Sequence, residues 1–343
     1  MTTGLNRRNF LGTSAAGLGY FFSAPAYSAS RLGRKPNETL QFAGIGVGGK
    51  GSSDIDQAGN LGEVVAICDI DEGQLAPKAR KWSGAKKYYD FRRMYDEMGK
   101  SIDAVTVSTP DHTHALASLI GIRMGKHVYC QKPLTHTVFE ARVLKEAAQK
   151  YKVCTQMGNQ GSAENGVRRA VELIQGGIIG PVTEAHVWTN RPIWPQAPKV
   201  TTRPEKADPW PTSVHWDEFL GGAPLRPYAK DSGEFKCYHP FNWRGWWDYG
   251  TGAIGDMACH TANMAFMGLQ LGHPVKLSAE AGDVNPETCP SWAHVTMQFA
   301  KRGDMAPCTL HWYEGKRDGK KMLPPDELVA KALKVSGQAK LVD

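Results

Sequence analysis

The sequence predicts an α/β protein whose first half folds as a doubly wound parallel sheet. From Thr39 onward, short apolar segments alternate with helix-length periodic segments, the pattern of parallel strands joined by right-handed helical crossovers. A glycine-rich turn follows the first of these segments, as in nucleotide-binding domains. The chain has 343 residues and is 41% hydrophobic, which suits two domains with separate cores and excludes a collagenous, low-complexity or wholly disordered chain.

The predicted elements of the first half follow one another closely. Strands are predicted at residues 40–45, 63–68, 103–108, 127–130 and 153–156, and helices after the glycine-rich turn and at 74–82, 113–124 and 137–149. Ligands of such sheets bind beyond the carboxyl ends of the strands. Residues 108–114 and 130–133 are therefore expected to border a site.

The first 26 residues have the features of an export signal. Arg7 and Arg8 form a twin-arginine stretch, a weakly apolar run covers residues 12–22, and Ala24-Pro25-Ala26 has the small-x-small pattern of a cleavage site. We expect residues 1–26 to be a signal peptide, residues 27–37 a linker, and the protein to reach the periplasm through the twin-arginine machinery. This route carries folded proteins, which suits a chain that binds a cytoplasmic cofactor first. A frayed basic terminus is the alternative.

Charge, hydropathy and cysteine content exclude several classes of protein. Five basic residues precede the first acidic one, so the formal charge of +7 falls to +2 from residue 36 onward, and a nucleic-acid surface is not indicated. No segment after the signal approaches about 18 apolar residues, so no membrane span is expected in the mature form. The seven cysteines include no C-x-x-C pair and are expected to be buried reduced thiols.

The glycine-rich turn predicts a dinucleotide site. The segment matches G-x-G-x-x-G in two registers, beginning at Gly44 or at Gly46, and Asp69 closes the next strand. Glycines let the backbone approach a pyrophosphate at a helix N-terminus, and a carboxylate accepts hydrogen bonds from the adenosine ribose. Because Asp69 would repel a 2′-phosphate, NAD is favoured over NADP. A glycine-rich surface turn is the alternative. The glycines expected to contact the cofactor are Gly46, Gly48, Gly49 and Gly51.

Five segments together resemble the glucose-fructose oxidoreductase, inositol dehydrogenase and MocA (Gfo/Idh/MocA) family, particularly its secreted twin-arginine branch. They are GIGVGGKG (44–51), VVAICDID (64–71), STPDHTHA (108–115), GKHVYCQKPLTHT (125–137) and FNWRGWWDYGTGAIGDMACH (241–260). The resemblance implies an NAD-binding Rossmann domain at 38–160. It also implies an α+β substrate and oligomerisation domain at 161–343, with a mostly antiparallel sheet and helices on one face.

The sequence of the second half agrees with this implied domain. Residues 182–188, 275–281, 294–300 and 308–313 have strand-like apolar patterns. Residues 190–242 contain nine prolines, too many for regular elements, and are expected to cap a site or to contact another subunit. The chain ends where similar proteins continue with further strands, so a shortened second domain is expected. A homo-oligomer formed by sheet-to-sheet contact is a further expectation.

The resemblance assigns catalytic roles to Lys132, Asp256 and His260. Lys132 follows Gln131 where the family has Glu-Lys-Pro, and it is expected to contact the substrate hydroxyl and stabilise a developing alkoxide. Asp256 and His260 are four residues apart, on one helix face. His260 is the expected general base, and Asp256 is expected to bind substrate or to tune His260. A surface lysine, a helix-start aspartate and a core histidine are the structural alternatives.

Other residues are expected to complete the cleft. Thr109, Pro110 and His114 are expected near the nicotinamide, and Gln131 is expected to contact the cofactor. Asn159 and Gln160 are expected to contact the substrate or the nicotinamide amide. Arg244 would bond hydroxyls or a carboxylate, and neighbouring tryptophans, Trp247 among them, would stack on a sugar ring, unless they pack in a core. A metal site at His112 and His114 is not expected, because the spacing lacks a ligand pattern and hydride transfer needs no metal.

These observations favour a hydride-transferring oxidoreductase acting on a sugar, cyclitol or sugar derivative with a tightly bound NAD. Export argues for a cofactor reset on the enzyme, since free NAD is not expected outside the cytoplasm. An NAD-dependent glycosidase that works by transient oxidation and elimination, and a non-catalytic sugar-binding protein, remain open alternatives; Gln131 and the early chain end keep the second open.

Overall fold

The computed structural model describes residues 39–341. The twin-arginine stretch, the expected cleavage site and the linker lie outside the described residues. Within the described range the first half is a parallel sheet with helices on both faces, and the second half is a mixed sheet with helices on one face.

The parallel sheet has six strands in the order β3-β2-β1-β4-β5-β6. Its elements are β1 Gln41–Ile45, α1 Gly49–Gly59, β2 Glu63–Cys68, α2 Glu72–Lys81, β3 Lys86–Tyr88, α3 Phe91–Met98, β4 Ala104–Val107, α4 Asp111–Arg123, β5 His127–Gln131, α5 Val138–Tyr151 and β6 Thr155–Gly158. All five strand pairs are parallel. The predicted doubly wound sheet is confirmed, with β3 and α3 added to it.

Side-chain caps define where several of these helices begin. The Asp71 and Asp90 carboxylates accept bonds from Gly73 N–H and Arg92 N–H, so α2 and α3 each start one residue after an aspartate. Thr137 and Glu140 form a capping box at α5. These local contacts explain why α2 starts two residues before the predicted position.

The second half is built on a mixed sheet in which one pairing is parallel. Its elements are α6 Asn165–Gln175, β7 Glu184–Trp188, α7 Trp216–Leu220, β8 Asp231–Ser232, β9 Phe235–Lys236, α8 Gly252–Thr261, α9 Asn263–Gly268, β10 Lys276–Gly282, β11 Trp292–Phe299, β12 Cys308–Arg317, β13 Lys320–Lys321 and α10 Asp326–Ser336. Strands β10, β11, β12 and β13 pair antiparallel, and β7 pairs parallel to β12. The predicted α+β architecture is confirmed.

One face of this sheet packs against α8 and α9. Val187, Val295, Leu310 and Trp312 point to these helices and form a buried cluster with Ala262. The alternate residues of the same strands lie on the opposite face, as strand geometry requires. The packing fixes α8, which carries two predicted catalytic residues, against the sheet.

The proline-rich segment differs from expectation, because residues 190–242 contain the short helix α7 and the β8–β9 hairpin. Trp216, Phe219, Tyr238 and Trp246 form a separate buried core there with Tyr249. Large aromatic side chains bury enough apolar area to order a segment that prolines keep out of a sheet. The segment is therefore a packed unit.

The described residues contain no helix long and apolar enough to cross a membrane. All seven cysteines are free. Five of them are buried, namely Cys68, Cys130, Cys237, Cys289 and Cys308, whereas Cys154 is exposed and Cys259 is intermediate. The expectation of reduced thiols is met, although two of the seven are not fully buried.

Gly51 provides a steric test of the first βα turn. A Cβ atom at Gly51 would lie 1.8 Å from the Gly46 carbonyl oxygen, so α1 cannot approach β1 with any side chain there. We expect Gly51→Ala to lower the free energy of unfolding by at least about 2 kcal/mol, although alanine favours a helix. The matched control is Gly166→Ala in α6, where nothing lies within 4 Å of the new Cβ atom and a small gain is expected. Chemical denaturation measures both; equal stability of the two variants would contradict the argument.

Candidate functional site

A cavity of about 580 Å³ opens at the carboxyl ends of β1, β2, β4 and β5 and extends to the proline-rich segment. The cavity therefore lies at the edge of the sheet where a site was expected. Most predicted cofactor residues line it, namely Gly46, Gly48, Gly49, Asp69, Thr109, Pro110 and Gln131, whereas Gly51 and His114 do not. The predicted catalytic residue Lys132 and the predicted substrate residue Arg244 line it as well. The second half of the chain contributes Glu218, Phe219, His239, Pro240, Phe241 and Trp243, of which the sequence singled out only the tryptophan.

The glycine-rich loop fits a phosphate because its glycines have no side chains and only backbone atoms occupy the space there. Gly46 has φ +75°, and a Cβ atom on it would lie 2.7 Å from the Ser108 carbonyl oxygen. A Cβ atom on Gly48 would meet the Gln74 side chain at 2.6 Å. With Gly51 against Gly46, the structure selects the register that begins at Gly46. Gly48 caps α1 without a side-chain bond, which leaves amide groups of the first turn facing the cleft.

Asp69 holds the glycine-rich loop from the end of β2. Its Oδ2 accepts bonds from Val47 N–H at 2.8 Å and Gly48 N–H at 3.0 Å, and its Oδ1 accepts one from Asp71 N–H at 3.0 Å. Burial raises the pKa of Asp69 to about 6, although these three backbone bonds lower it in part. The carboxylate is therefore ionised at pH 7 and sits where a ribose would bind.

Lys132, which lines the cleft, joins the two halves of the chain by pairing with Asp256, a buried residue that does not line the cleft itself. Lys132 Nζ donates to Asp256 Oδ1 at 2.7 Å and to the Asp256 carbonyl oxygen at 2.8 Å, and Arg244 Nε donates to the same Oδ1 at 3.3 Å. Burial raises the pKa of Asp256, but Lys132 and Arg244 outweigh it and hold this pKa below its ordinary value. The site therefore presents two cations around one ionised carboxylate.

Arg244 is held between two aromatic rings. Its guanidinium carbon lies 4.2 Å from the ring centroids of both Phe241 and Trp243, and Nη1 donates to the Phe241 carbonyl oxygen. Phe241 and Trp243 both line the cavity. The arrangement fixes a planar cation and an aromatic wall at the end of the cleft where Lys132 lies.

Three residues that the sequence did not identify as anchors hold the chain just before α8. Asp111 Oδ2 accepts bonds from Thr251 N–H at 3.2 Å and Thr251 Oγ1–H at 2.7 Å. The His112 ring lies 3.3 Å from the Tyr249 carbonyl oxygen and 2.8 Å from that of Phe219, and the His136 ring lies 3.1 Å from the Gly250 carbonyl oxygen. The available signal in the sequence was that all three residues lie in the motifs at 108–115 and 125–137. Their partners, however, are more than 100 residues away in the chain.

His114 does not border the cleft, contrary to expectation. It is 1% exposed, and its ring nitrogens lie 2.7 Å from the Pro133 and Thr109 carbonyl oxygens. Burial lowers the pKa of His114, but Cys130, Asp111 and the Pro133 carbonyl outweigh burial and raise it to about 9. Both nitrogens are occupied by backbone oxygens, so His114 ties together the two loops that carry Thr109 and Lys132.

His260 lies one turn after Asp256 on α8 and is exposed. Partial desolvation and the Lys132 ammonium group lower the pKa of His260, although Asp256 raises it. The imidazole is therefore neutral at pH 7, as a general base must be. His260 does not line the cavity described above.

The remaining predicted substrate residues also lie outside this cavity. Asn159 donates to Ser162 Oγ at 2.7 Å, Gln160 to the Tyr129 hydroxyl at 3.3 Å, and Trp247 to the Asn285 carbonyl oxygen at 3.1 Å. Trp246 is fully buried in the aromatic core. Of the expected aromatic wall, Trp243 is the tryptophan that borders the cavity.

The end of the cleft at Asp69 is covered by the proline-rich segment. Glu72 N–H donates to the Ser213 carbonyl oxygen at 2.9 Å, and His215 N–H donates to that of Ile70 at 2.8 Å. The His215 ring stacks on Tyr89 with centroids 4.0 Å apart. These contacts hold the proline-rich segment against the residues that follow β2 and β3.

Among residues 39–341, no group of three His, Cys, Asp or Glu side chains is arranged to hold a metal ion. The ring nitrogens of His112 and His114 face backbone oxygens.

The chain matches two sequence models of one family in consecutive order. A model described as the oxidoreductase family Gfo/Idh/MocA, NAD-binding Rossmann fold, matches residues 40–159. A model described as the C-terminal alpha/beta domain of the same oxidoreductase family matches residues 167–309.

Curated relatives include an inositol 2-dehydrogenase of Salmonella paratyphi B, 29% identical over 153 residues that cover 43% of this chain and 45% of the relative. A glycosyl hydrolase family 109 protein of Shewanella pealeana is 29% identical over 206 residues, covering 51% of this chain and 44% of the relative. The chain thus spans less than half the length of these relatives.

Solved structures share the fold. The crystal structure of an inositol dehydrogenase homologue from Azotobacter vinelandii, complexed with NADH and myo-inositol, has a TM-score of 0.55 and 17% sequence identity. The match covers 83% of this chain and 66% of that chain.

Removal of Lys132 tests the electrostatics of the cleft. We expect Lys132→Ala to lower the free energy of unfolding at pH 7 by about 3 kcal/mol, because Asp256 loses its main buried cation. The pKa of Asp256 lies below its ordinary value of 3.8, so this stabilisation is present above pH 3.8 and is lost as the pH falls through the lowered pKa.

Melting temperatures measured between pH 7 and pH 3 check this expectation. The difference between wild type and Lys132→Ala should shrink at the acid end. Lys199→Ala, which breaks the exposed pair with Glu234, is the control and should change stability by less than about 1 kcal/mol. A difference independent of pH would contradict the assignment.

Proposed function

Because this chain belongs to the Gfo/Idh/MocA oxidoreductase family, we propose that it transfers hydride between a nicotinamide cofactor and a carbinol carbon of a sugar, cyclitol or sugar derivative. The observation that carries the proposal is the single cleft that joins the glycine-rich loop and Asp69 to Lys132 and Arg244. One end of this cleft fits a dinucleotide, and the other presents cations to a hydroxyl.

Each residue of the cleft has a proposed role that follows from its position. Amide groups at the start of α1 bind the pyrophosphate, and Asp69 accepts hydrogen bonds from the ribose hydroxyls. The nicotinamide, when bound, accepts or returns the hydride. The Lys132 ammonium group donates a hydrogen bond to the substrate hydroxyl and stabilises the negative charge that develops as its proton leaves.

Asp256, Arg244 and His260 complete the proposed chemistry. Asp256 holds Lys132 and Arg244 in place through its Oδ1, and the aromatic wall at Phe241 and Trp243 packs on the apolar face of a ring. Neutral His260 takes the hydroxyl proton, which requires substrate to lie between α8 and the mouth of the cleft.

We also propose that the cofactor stays bound between turnovers in an exported protein. The twin-arginine segment in the sequence supports export to the periplasm, where free NAD is not expected. The backbone bonds of Ile70 and Glu72 with the proline-rich segment favour retention, because release would require this segment to move away from the cleft. Cell fractionation and mass spectrometry of nucleotide released on denaturation measure these two properties.

The exposed sheet face supports a homo-oligomer. On the face opposite α8 and α9, the rings of His186, His294, His311 and Tyr313 stack with one another, and the three histidines are only partly exposed. Tyr313 is already buried, and a second copy of this face would cover the remaining exposed parts of the three histidine rings. Light scattering measures the subunit number.

A second candidate activity is cleavage of a glycosidic bond by transient oxidation, elimination and re-reduction. The match to a glycosyl hydrolase family 109 protein favours it. Both activities use the same cofactor cleft and the same first hydride transfer. Release of a leaving group without net change in the cofactor distinguishes glycosidase from dehydrogenase.

The experiment that tests the function is a screen of myo-inositol, free sugars and nitrophenyl glycosides with NAD-loaded protein, following absorbance of reduced cofactor and nitrophenol release. We expect one class to react, and Lys132→Ala and His260→Ala to lower kcat by at least about a hundredfold. The control is His273→Ala, outside the cleft. Sugar binding without any redox change would instead indicate a non-catalytic binding protein, and failure to bind NADH would reject the assignment.

The charge of Asp69 predicts which cofactor binds and how binding depends on pH. Its pKa is raised to about 6, so its ionised form, which accepts the ribose hydroxyls, increases from pH 5 to pH 7. NADH should therefore bind more tightly as the pH rises, while NADPH should bind at least about tenfold more weakly than NADH at pH 7.

Asp69→Asn keeps an oxygen acceptor for the loop and removes the charge. We expect this variant to lose the pH dependence and to narrow the difference between NADH and NADPH, both measured by fluorescence titration. Glu72→Gln is the control, since this carboxylate faces His215. Unchanged discrimination in Asp69→Asn would contradict the role of Asp69.

A further inference from the structure

Asp54 is a buried carboxylate on α1 that the proposed mechanism does not use. It is 5% exposed and lies beneath the glycine-rich loop, in the second turn of the helix. Ser108 Oγ donates to its Oδ2 at 2.9 Å and Gln131 Nε2 donates to the same atom at 2.8 Å, while Lys50 Nζ pairs with Oδ1. A single carboxylate therefore connects α1 to the ends of β4 and β5.

The donors that Asp54 binds all border the cofactor cleft. Lys50, Ser108 and Gln131 line it, whereas Asp54 does not. Gln131 is 6% exposed, and a Cβ atom on Gly158 would lie 2.6 Å from its Nε2, so the amide is packed against backbone. Because a carboxylate only accepts hydrogen bonds, Asp54 fixes which end of the Gln131 amide faces α1.

Position 131 is also where this chain departs from Glu-Lys-Pro. An amide at this position lacks the negative charge beside Lys132, and the structure places a carboxylate 2.8 Å from that amide. A glutamate at 131 facing Asp54 would bring two carboxylates together, which would force one of them to bind a proton. Residues 54 and 131 therefore carry one negative charge between them.

We propose that Asp54 is a positioning residue for hydride transfer, supplying from α1 the charge that Glu-Lys-Pro carries at position 131 and fixing Gln131 beside Lys132. The inference rests on the proposed function, since it concerns the same cleft. It assigns Asp54 no contact with substrate or cofactor. The negative charge can reside at either position, but the pair requires one carboxylate and one amide.

The test is a charge exchange between the two positions, comparing Asp54→Asn, Gln131→Glu and the double variant with wild type. The readouts are the Kd for NADH, kcat with the substrate found by the screen, and melting temperature from pH 5 to pH 8. Asp56→Asn is the matched control, because this aspartate lies on the same helix and pairs with Lys78 and Lys81, away from the cleft.

We expect each single variant to lose at least about tenfold in kcat or NADH affinity and the double variant to return to within about threefold of wild type. The melting temperature of Gln131→Glu should fall as the pH rises. In this variant the carboxylates at positions 54 and 131 share a proton and have a raised pKa, and that proton is lost at higher pH. The double variant should show the wild-type pH profile. Asp56→Asn should leave NADH affinity unchanged.

A double variant no better than the worse single variant overturns the proposal, and so does a Gln131→Glu melting profile parallel to that of wild type. If Asp54→Asn fails to fold, recovery of folding and NADH binding in the double variant supports the proposal, and absence of recovery overturns it. If wild type binds NADH and converts substrate but the double variant does not recover, only the positioning role of Asp54 is rejected. Wild type that does not bind NADH would reject the function.

Discussion

The ion pair between Lys132 and Asp256 is the constraint on which the site depends. The two residues are 124 positions apart, one at the end of a parallel strand and the other on a helix of the second sheet. Burying either charge alone would be costly, so the two halves of the chain must meet in one arrangement that pairs them. Asp111, His112 and His136 hold Tyr249–Thr251 by polar contacts and so set where α8 begins. The geometry of the proposed site is thus fixed by interactions between the halves.

The floor of the cleft shows a second constraint, the close approach of backbone to backbone. Gly46 and Gly51 leave no room for side chains, and this absence lets α1 direct amide groups at a phosphate. Under this loop the polar groups are satisfied by two aspartates, Asp69 from β2 and Asp54 from α1. A tightly packed turn on a hydrogen-bonded base is preorganised for an anion before any ligand arrives.

The proline-rich segment connects folding to cofactor retention. It has its own aromatic core around Trp216 and Tyr238, and therefore presents Phe219 and His239 to the cleft from a rigid support. Its backbone bonds to Ile70 and Glu72 hold it against the residues that follow β2. This packing supports the proposed retention of the cofactor, for which the twin-arginine segment of the sequence is a separate argument.

The sequence by itself determined the long strands, the glycine-rich loop, Asp69 and the motif around Lys132, because periodicity and glycine spacing are local properties. It did not predict β3 or α3, which are short and polar, nor the helix and hairpin within the prolines. Only the tertiary structure decided that His114 ties two loops together, that Gln131 faces Asp54 and that Trp246 is core. Each of these outcomes depends on partners that local sequence cannot specify, since the packing of distant elements determines which groups meet in a buried space.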